Sequence, residues 1–304
     1  MDYGSLIRRS LRTMWQHPYL WLFGFLAAGG SGFGPIGEWH EKWGEPSMGG
    51  WGLPEDWLLP LLLLLIPLII IIFVGLFILK VISEGGLIRA AREIDGGKRL
   101  RFGLVWQYGL VPFWRLLGIE LLVLVAIFAV VLMVIVAVAG TIGFGALAGG
   151  PAGAGFLLMG AIAVLLLPAL ACAIAAHIIV SYARRACVID GAGVVASLAR
   201  GWETVRNHLW ESIAVWLVAF GSSFVYFLLL VTAGIILLVP FVLLFLIHPL
   251  FGLVPGAVVA FCYLAVATGV HSTYQHTLWT LTYTDLWGKA AKEGDIRRPE
   301  LPSG

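Results

Sequence analysis

Apolar residues fall along the chain in long uncharged blocks, separated by short basic segments whose apolar positions recur at helical spacing. Leu121 to Ala183 contains no Asp, Glu, Lys or Arg, and neither does Ser212 to Thr284. A helix needs roughly 20 apolar residues to cross the hydrocarbon, so each block holds at least two crossings. The pattern predicts six in all: a short one at Tyr19–Ala28, then Trp57–Leu79, Leu116–Ala139, Phe156–Ser181, Ser212 to about Leu237, and Val254 into the 280s. Pro60 and Pro67 are tolerable inside a crossing because neighbouring helices re-satisfy the freed backbone. The uncharged, glycine-rich GTIGFGALAGGPAGAG is expected to turn between the third and fourth crossings. Val239 to Leu253 is apolar but interrupted by proline, and is expected to be a re-entrant or interfacial turn.

Three basic segments precede the outward crossings, and each has an apolar stripe followed by an aromatic boundary. The first sets Ile7, Leu11, Met14 and Trp15 against Arg8, Arg9 and Arg12. The second has Phe102, Val105, Trp106, Gly109, Leu110 and Phe113, and the third Val194, Leu198, Trp202, Val205 and Leu209. Their boundaries read WQHPYLW, VPFWRLL and RNHLWES. The expected fold is therefore an all-α polytopic membrane protein. It has six transmembrane helices arranged as three hairpins, each preceded by a cytoplasmic amphipathic interfacial helix, and the copies form a weak parallel repeat about the membrane normal. Residues 1–288 form a single membrane domain and 289–304 a short charged cytoplasmic tail.

Composition agrees with the pattern: of 304 residues, 60% are hydrophobic and 12% charged, against about a quarter charged in a soluble domain. Charge sets the orientation. All of the 19 Lys and Arg except Lys42 lie before Trp15, from Lys80 to Arg115, from Arg184 to Arg206, or after Asp285. The positive-inside rule makes that side cytoplasmic and puts both termini in the cytosol of a bacterial inner-membrane protein. IRRSLR resembles a twin-arginine signal, but Trp15, Pro18, Tyr19 and Trp21 suit a retained interfacial helix better. A net charge of +2 gives no ground for nucleic-acid binding. Cys172, Cys187 and Cys262 match neither a disulfide framework nor a metal motif, and read as free thiols.

HPYLWLFGFLAA, SEGGLIRAAREIDGGKRLRFG, RACVIDGAGVVASLARGWETVRNHLW and the closing TLWTLTYTDLW together resemble bacterial integral membrane proteins related to the glycerophosphoryl diester phosphodiesterase membrane domain. The resemblance covers most of the chain, and Arg185 to His208 is its most specific part. It implies a membrane fold. In that family the membrane region can accompany a soluble phosphodiesterase domain, which is not expected here, so no hydrolase residues carry over.

Candidate chemistry lies in the ionisable side chains inside the crossings, which lipid penalises. With Arg115, Arg184 and Asp285 as boundary marks, Glu120 lies roughly 7 Å deep, His177 roughly 10 Å and His276 roughly 13 Å, so the three are a candidate polar cluster. Separate snorkelling of Glu120 and local satisfaction of each His is the simpler alternative. His271, Tyr274 and Gln275 are candidate cavity-lining residues, although Ser222, Ser223 and Tyr226 on the fifth crossing suit interhelical hydrogen bonding equally well. Arg8, Arg9, Arg12, Arg99, Arg101, Arg184 and Arg185 are candidate contacts for anionic headgroups. Glu38, His40, Glu41 and Glu45 match no cation loop, and Trp39, Trp43, Trp51 and Trp57 read as an outer aromatic belt. No metal site, catalytic set or cofactor is expected. The expected activity is that of a non-enzymatic scaffold or accessory protein, with membrane lipids and partner membrane proteins as its contacts. The alternative is a small transporter or channel using the polar sixth helix with Glu120 and His177.

Overall fold

The structure is a computed structural model that describes residues 2–29 and 55–292. The expected outer loop, with its acidic residues, His40 and Trp39, Trp43 and Trp51, lies outside the described residues, as does the tail from 293 onward. The described residues form eight α-helices and no strand, as an all-α membrane protein requires. Four of the helices between them contain five stretches long and apolar enough to cross a membrane, two of the five lying on one helix.

Helix α1, Tyr3–Gln16, begins where the Asp2 carboxylate accepts from the Gly4 N–H at 3.0 Å, and it ends at His17 before Pro18. Helix α2, Leu20–Ala27, is the expected first crossing, but its eight residues cover only about 12 Å of a roughly 30 Å hydrocarbon layer. Gly29 closes it with φ 61°, a conformation other residues rarely adopt. Helix α3, Glu55–Asp95, contains the clearest crossing and continues well past it. Helix α4, Phe102–Leu110, folds back antiparallel along its end: Val105 lies against Gly86, and Gly109 lies directly against the Ile82 carbonyl. Val105 and Gly109 of the expected apolar stripe thus meet α3, while Phe102 and Leu110 stay exposed. Phe23, Leu87, Ala90 and Val105 share one buried cluster with Leu20 and Ala27.

Helix α5 runs from Phe113 to Ile189 without a break, so the glycine-rich stretch expected as a turn is helical. Its two ends nevertheless meet. Arg184 and Glu120 are paired at 2.7 Å, and Arg115 donates to the Gly191 carbonyl at 2.5 Å. On a straight helix those pairs would stand about 96 and 114 Å apart, so the axis of α5 turns back between them. Helix α6, Val194–Asn207, packs Gly201 on that returning end, where a side chain would meet the Ile179 carbonyl.

Helices α7, Leu209–Ile247, and α8, Pro249–Lys292, are separated by His248 alone and run antiparallel. Phe245 faces Gly252, Phe241 faces Gly256, and the Tyr263 and Tyr226 hydroxyls donate to the Leu230 and Ala267 carbonyls at 2.7 and 2.5 Å. The stretch expected as a re-entrant turn is thus the closed end of a helix pair. It is helical although Pro240 and Pro255 sit within α7 and α8, and only Pro249, at a helix start, coincides with the break.

The chain packs as two units, Met1–Val111 with Leu217–Asp285, and Pro112–Trp216 with Leu286–Gly304. Buried positions recur along it. Ser83, Leu87, Ile88, Ala90 and Ala91 on α3 correspond, 95 residues on, to Ile178, Tyr182, Ala183, Arg185 and Ala186 on α5, and after another 95 to Thr273, Thr277, Leu278, Thr280 and Leu281 on α8; none exceeds 3% exposure. Likewise α1 and α6 both have 14 residues, and their buried sets match at a constant offset: Leu6, Ser10, Thr13, Met14 against Ser197, Gly201, Thr204, Val205. Both end on a histidine in the same backbone conformation, His17 at φ −129° and His208 at φ −128°.

Candidate functional site

The first unit contains a polar seam between α7 and α8. The Gln275 amide donates to Ser223 Oγ at 2.8 Å and to the Ala219 carbonyl at 3.0 Å, with Ser222 Oγ at 3.4 Å. His271 Nε2 lies 3.3 Å from Ser223 Oγ, and its ring stacks on Tyr226 at 4.5 Å between centroids. Tyr274, also expected as a lining residue, is 7% exposed beside this seam. These side chains sit at i and i+4 spacing on one face of α8, which is why one face alone meets α7. Residues two positions earlier point the other way. There Thr273 donates to the Leu20 carbonyl at 2.9 Å, and Gly24 and Gly269 bring α2 and α8 into backbone contact. Of the expected lining residues, His271 and Gln275 therefore spend their polar atoms on α7.

A second polar feature lies at the ends of α1, α3 and α8. The Arg9 guanidinium forms a two-pronged pair with Asp95, through Nε to Oδ1 at 2.9 Å and through Nη2 to Oδ2, and reaches Asp285 Oδ2 at 3.2 Å. The Asp95 hydrogen bond, supported by both carboxylate charges, holds the Arg9 guanidinium above its ordinary range. Beside this cluster Lys98 pairs with Glu93 at 2.5 Å. At the junction of α1 and α2, burial and the Arg99 charge depress the His17 imidazole below 6.5.

In the second unit, Glu120 is 6% exposed and paired with Arg184, which is 21% exposed. Arg185 is buried and donates to the Ser181 carbonyl one turn back. On α6, Arg200 pairs with Asp190 at 3.3 Å. His177 is exposed on α5, whereas His276 belongs to the first unit and is half-buried on α8. Of the expected headgroup contacts, Arg9, Arg184 and Arg185 are committed to protein partners, and Arg8, Arg12, Arg99 and Arg101 are exposed.

The residues missed from sequence are Glu84, 1% exposed on α3, and the trio Asp95, Asp190 and Asp285. The signal for the trio was its even 95-residue spacing, coupled to Arg9 and Arg200 at matching positions of α1 and α6. Among the described residues no three His, Cys, Asp or Glu side chains gather as metal ligands would. Comparison of the chain with protein-family models, with curated proteins and with solved structures finds no match.

Proposed function

We propose that this is a bacterial inner-membrane protein without catalysis of its own, acting as a scaffold or accessory factor through contacts with lipid and with partner membrane proteins. The observation that carries this reading is the seam between α7 and α8. A conducting or binding path needs polar atoms turned toward a cavity, and here His271, Gln275, Ser222, Ser223 and Tyr226 are turned toward one another and toward backbone carbonyls. The apolar arms support it too. Ile71 and Phe73 on α3, Val125 and Phe128 on α5, and Leu229 and Ile236 on α7 are all more than half exposed, as lipid-facing side chains are.

The topology we propose has three out-and-back hairpins and both termini in the cytosol. The contact of Arg9 with Asp95, at the end of α3 opposite Glu55, supports an outward passage of the chain before Glu55. Helix α2 begins that passage. The meeting ends of α5 and the antiparallel α7 and α8 support the second and third hairpins, and the basic residues beside Asp95 and Asp190 favour the cytosol for that end. The resemblance to the membrane domain associated with glycerophosphoryl diester phosphodiesterases belongs to the same proposal, as a membrane fold without hydrolytic machinery.

The test is flux. Purified protein in sealed vesicles is expected to pass no proton, cation or small anion. A robust flux that Glu120→Gln or Gln275→Leu eliminates while the protein still folds would replace the scaffold with the transporter.

A further inference from the structure

Along the helices of the first unit, exposure changes abruptly at one level. On α3, Ile71, Phe73 and Ile78 are 68%, 68% and 38% exposed, and then Val81, Ser83 and Glu84 are 0%, 0% and 1%. On α8, Phe261 and Val266 are exposed at 54% each, and from Ser272 onward almost every residue is buried. On α7 one face is buried at Ser212, Val215 and Ala219 while Leu217 is exposed at 61%, and after Ala219 no residue of the helix is buried. Contacts tie these points together: Gly29 lies against the Lys80 side chain, Gly24 against Gly269, and Gln275 against Ala219.

The chemistry changes at the same level. On the side of Asp56, α3 runs without charge from Trp57 to Leu79, about 34 Å of helix, which alone covers a hydrocarbon layer of roughly 30 Å. On the other side the packed interior is polar: Ser83, Glu84, Thr273, Thr277, Thr280 and Thr282 are all buried. Its outer positions include Arg8, Arg12, Arg92 and Arg99. Lipid penalises charged side chains, and a helix that already has its full apolar length has no need to bring them in.

We propose that the inner edge of the hydrocarbon crosses this unit at Lys80, Ala219 and Gly269. Val81–Asp95 and His271–Asp285, with α1 and α4, then stand beyond it as a polar base about 22 Å tall, in the headgroup layer and the cytosol. The surface fitted to acyl chains is the arms alone. Glu84, Gln275 and His276 lie outside the hydrocarbon, so their ionisable and polar groups need no conduction role to account for them. The second unit, taken by itself, has the same switch, from Ile119 at 0% to Leu121 at 47% and, on the return, from exposed His177 to Ile178 at 2%.

The experiment is depth measurement on the full chain in lipid nanodiscs. Single nitroxide labels go on a background without Cys172, Cys187 and Cys262, at positions of the first unit exposed enough to accept them: Ile71, Leu229, Arg8, Arg12 and Arg92. Ile71 and Leu229 are expected to collide chiefly with oxygen, and Arg8, Arg12 and Arg92 chiefly with an aqueous nickel chelate. Oxygen-dominated collisions at Arg8, Arg12 and Arg92 would put the base inside the bilayer, overturning the placement. A circular-dichroism melt of each labelled variant confirms folding. The measurement is independent of flux, so it stands or falls apart from the scaffold reading.

Discussion

Gly109 is the residue on which the docking of α4 turns, and its replacement gives a sharp expectation. A Cβ built there would overlap the Ile82 carbonyl oxygen and press on Ile82 Cγ2 at 2.9 Å. Gly103, on the same helix, has nothing within 4 Å of its would-be Cβ. Ala in place of Gly gains about 0.8–1 kcal/mol of helix propensity at either site. At Gly103 that gain is all there is. At Gly109 it is opposed by overpacking, typically 1–3 kcal/mol, because α4 must move off α3 and loosen Val105, which is fully buried, and the Phe23 contact with Phe102 at 5.0 Å. The difference between the two variants therefore isolates the close approach and is expected to be about 1–3 kcal/mol. Equilibrium unfolding of the purified protein in mixed micelles, followed by tryptophan fluorescence, measures both. If Gly109→Ala proves as stable as Gly103→Ala, the packing of α4 on α3 is wrong.

Three further outcomes follow from the polar contacts. Arg184→Ala strands the Glu120 carboxylate in a site 6% exposed and is expected to cost about 3–5 kcal/mol, whereas Glu120→Gln leaves a guanidinium 21% exposed that still reaches water and costs less; equal losses in micelle unfolding would exclude a dominant ion pair. A double-mutant cycle of Ser223→Ala with Gln275→Leu is expected to show coupling near 0.6 kcal/mol and no more than about 1.7, and additive effects would mean the seam is not formed. His17 is expected to titrate below 6.5 by NMR; because the unfolded chain takes up its proton first, stability around α1 holds above that pH and falls below it, and Arg99→Gln is expected to raise the midpoint.

Much of the architecture was legible in residue patterns, because the cost of exposing a peptide bond or a charge to lipid is large and local. Trp57–Leu79 needed no partner to be recognised as a crossing. The boundary aromatics and basic stretches likewise marked where α4 and α6 hand over to longer helices. Tyr19–Ala28 was harder: ten apolar residues resemble a crossing, yet the helix formed is only Leu20–Ala27, and its buried face of Leu20, Phe23 and Ala27 is spent on α3 and α4. The partners of Glu120 and Gln275 were not legible, since a single sequence does not say which of several polar residues 50 or 60 positions away will face them.

Length, uncharged blocks and basic asymmetry by themselves determined that the chain enters a membrane and which ends of its long helices carry positive charge. Those properties follow from transfer energies that each segment pays alone. Where lipid contact stops and protein contact begins was decided by tertiary structure. The last uncharged block runs from Ser212 to Thr284 with no charge to mark a boundary inside it, and only packing reveals that Phe220 and Val266 face outward while Ser212 and Thr273 do not. Burial depends on which helices lie alongside, and that choice is made by Gly24 against Gly269, Gly109 against Ile82 and Arg9 against two distant aspartates, contacts whose energies exist only once the chain has folded.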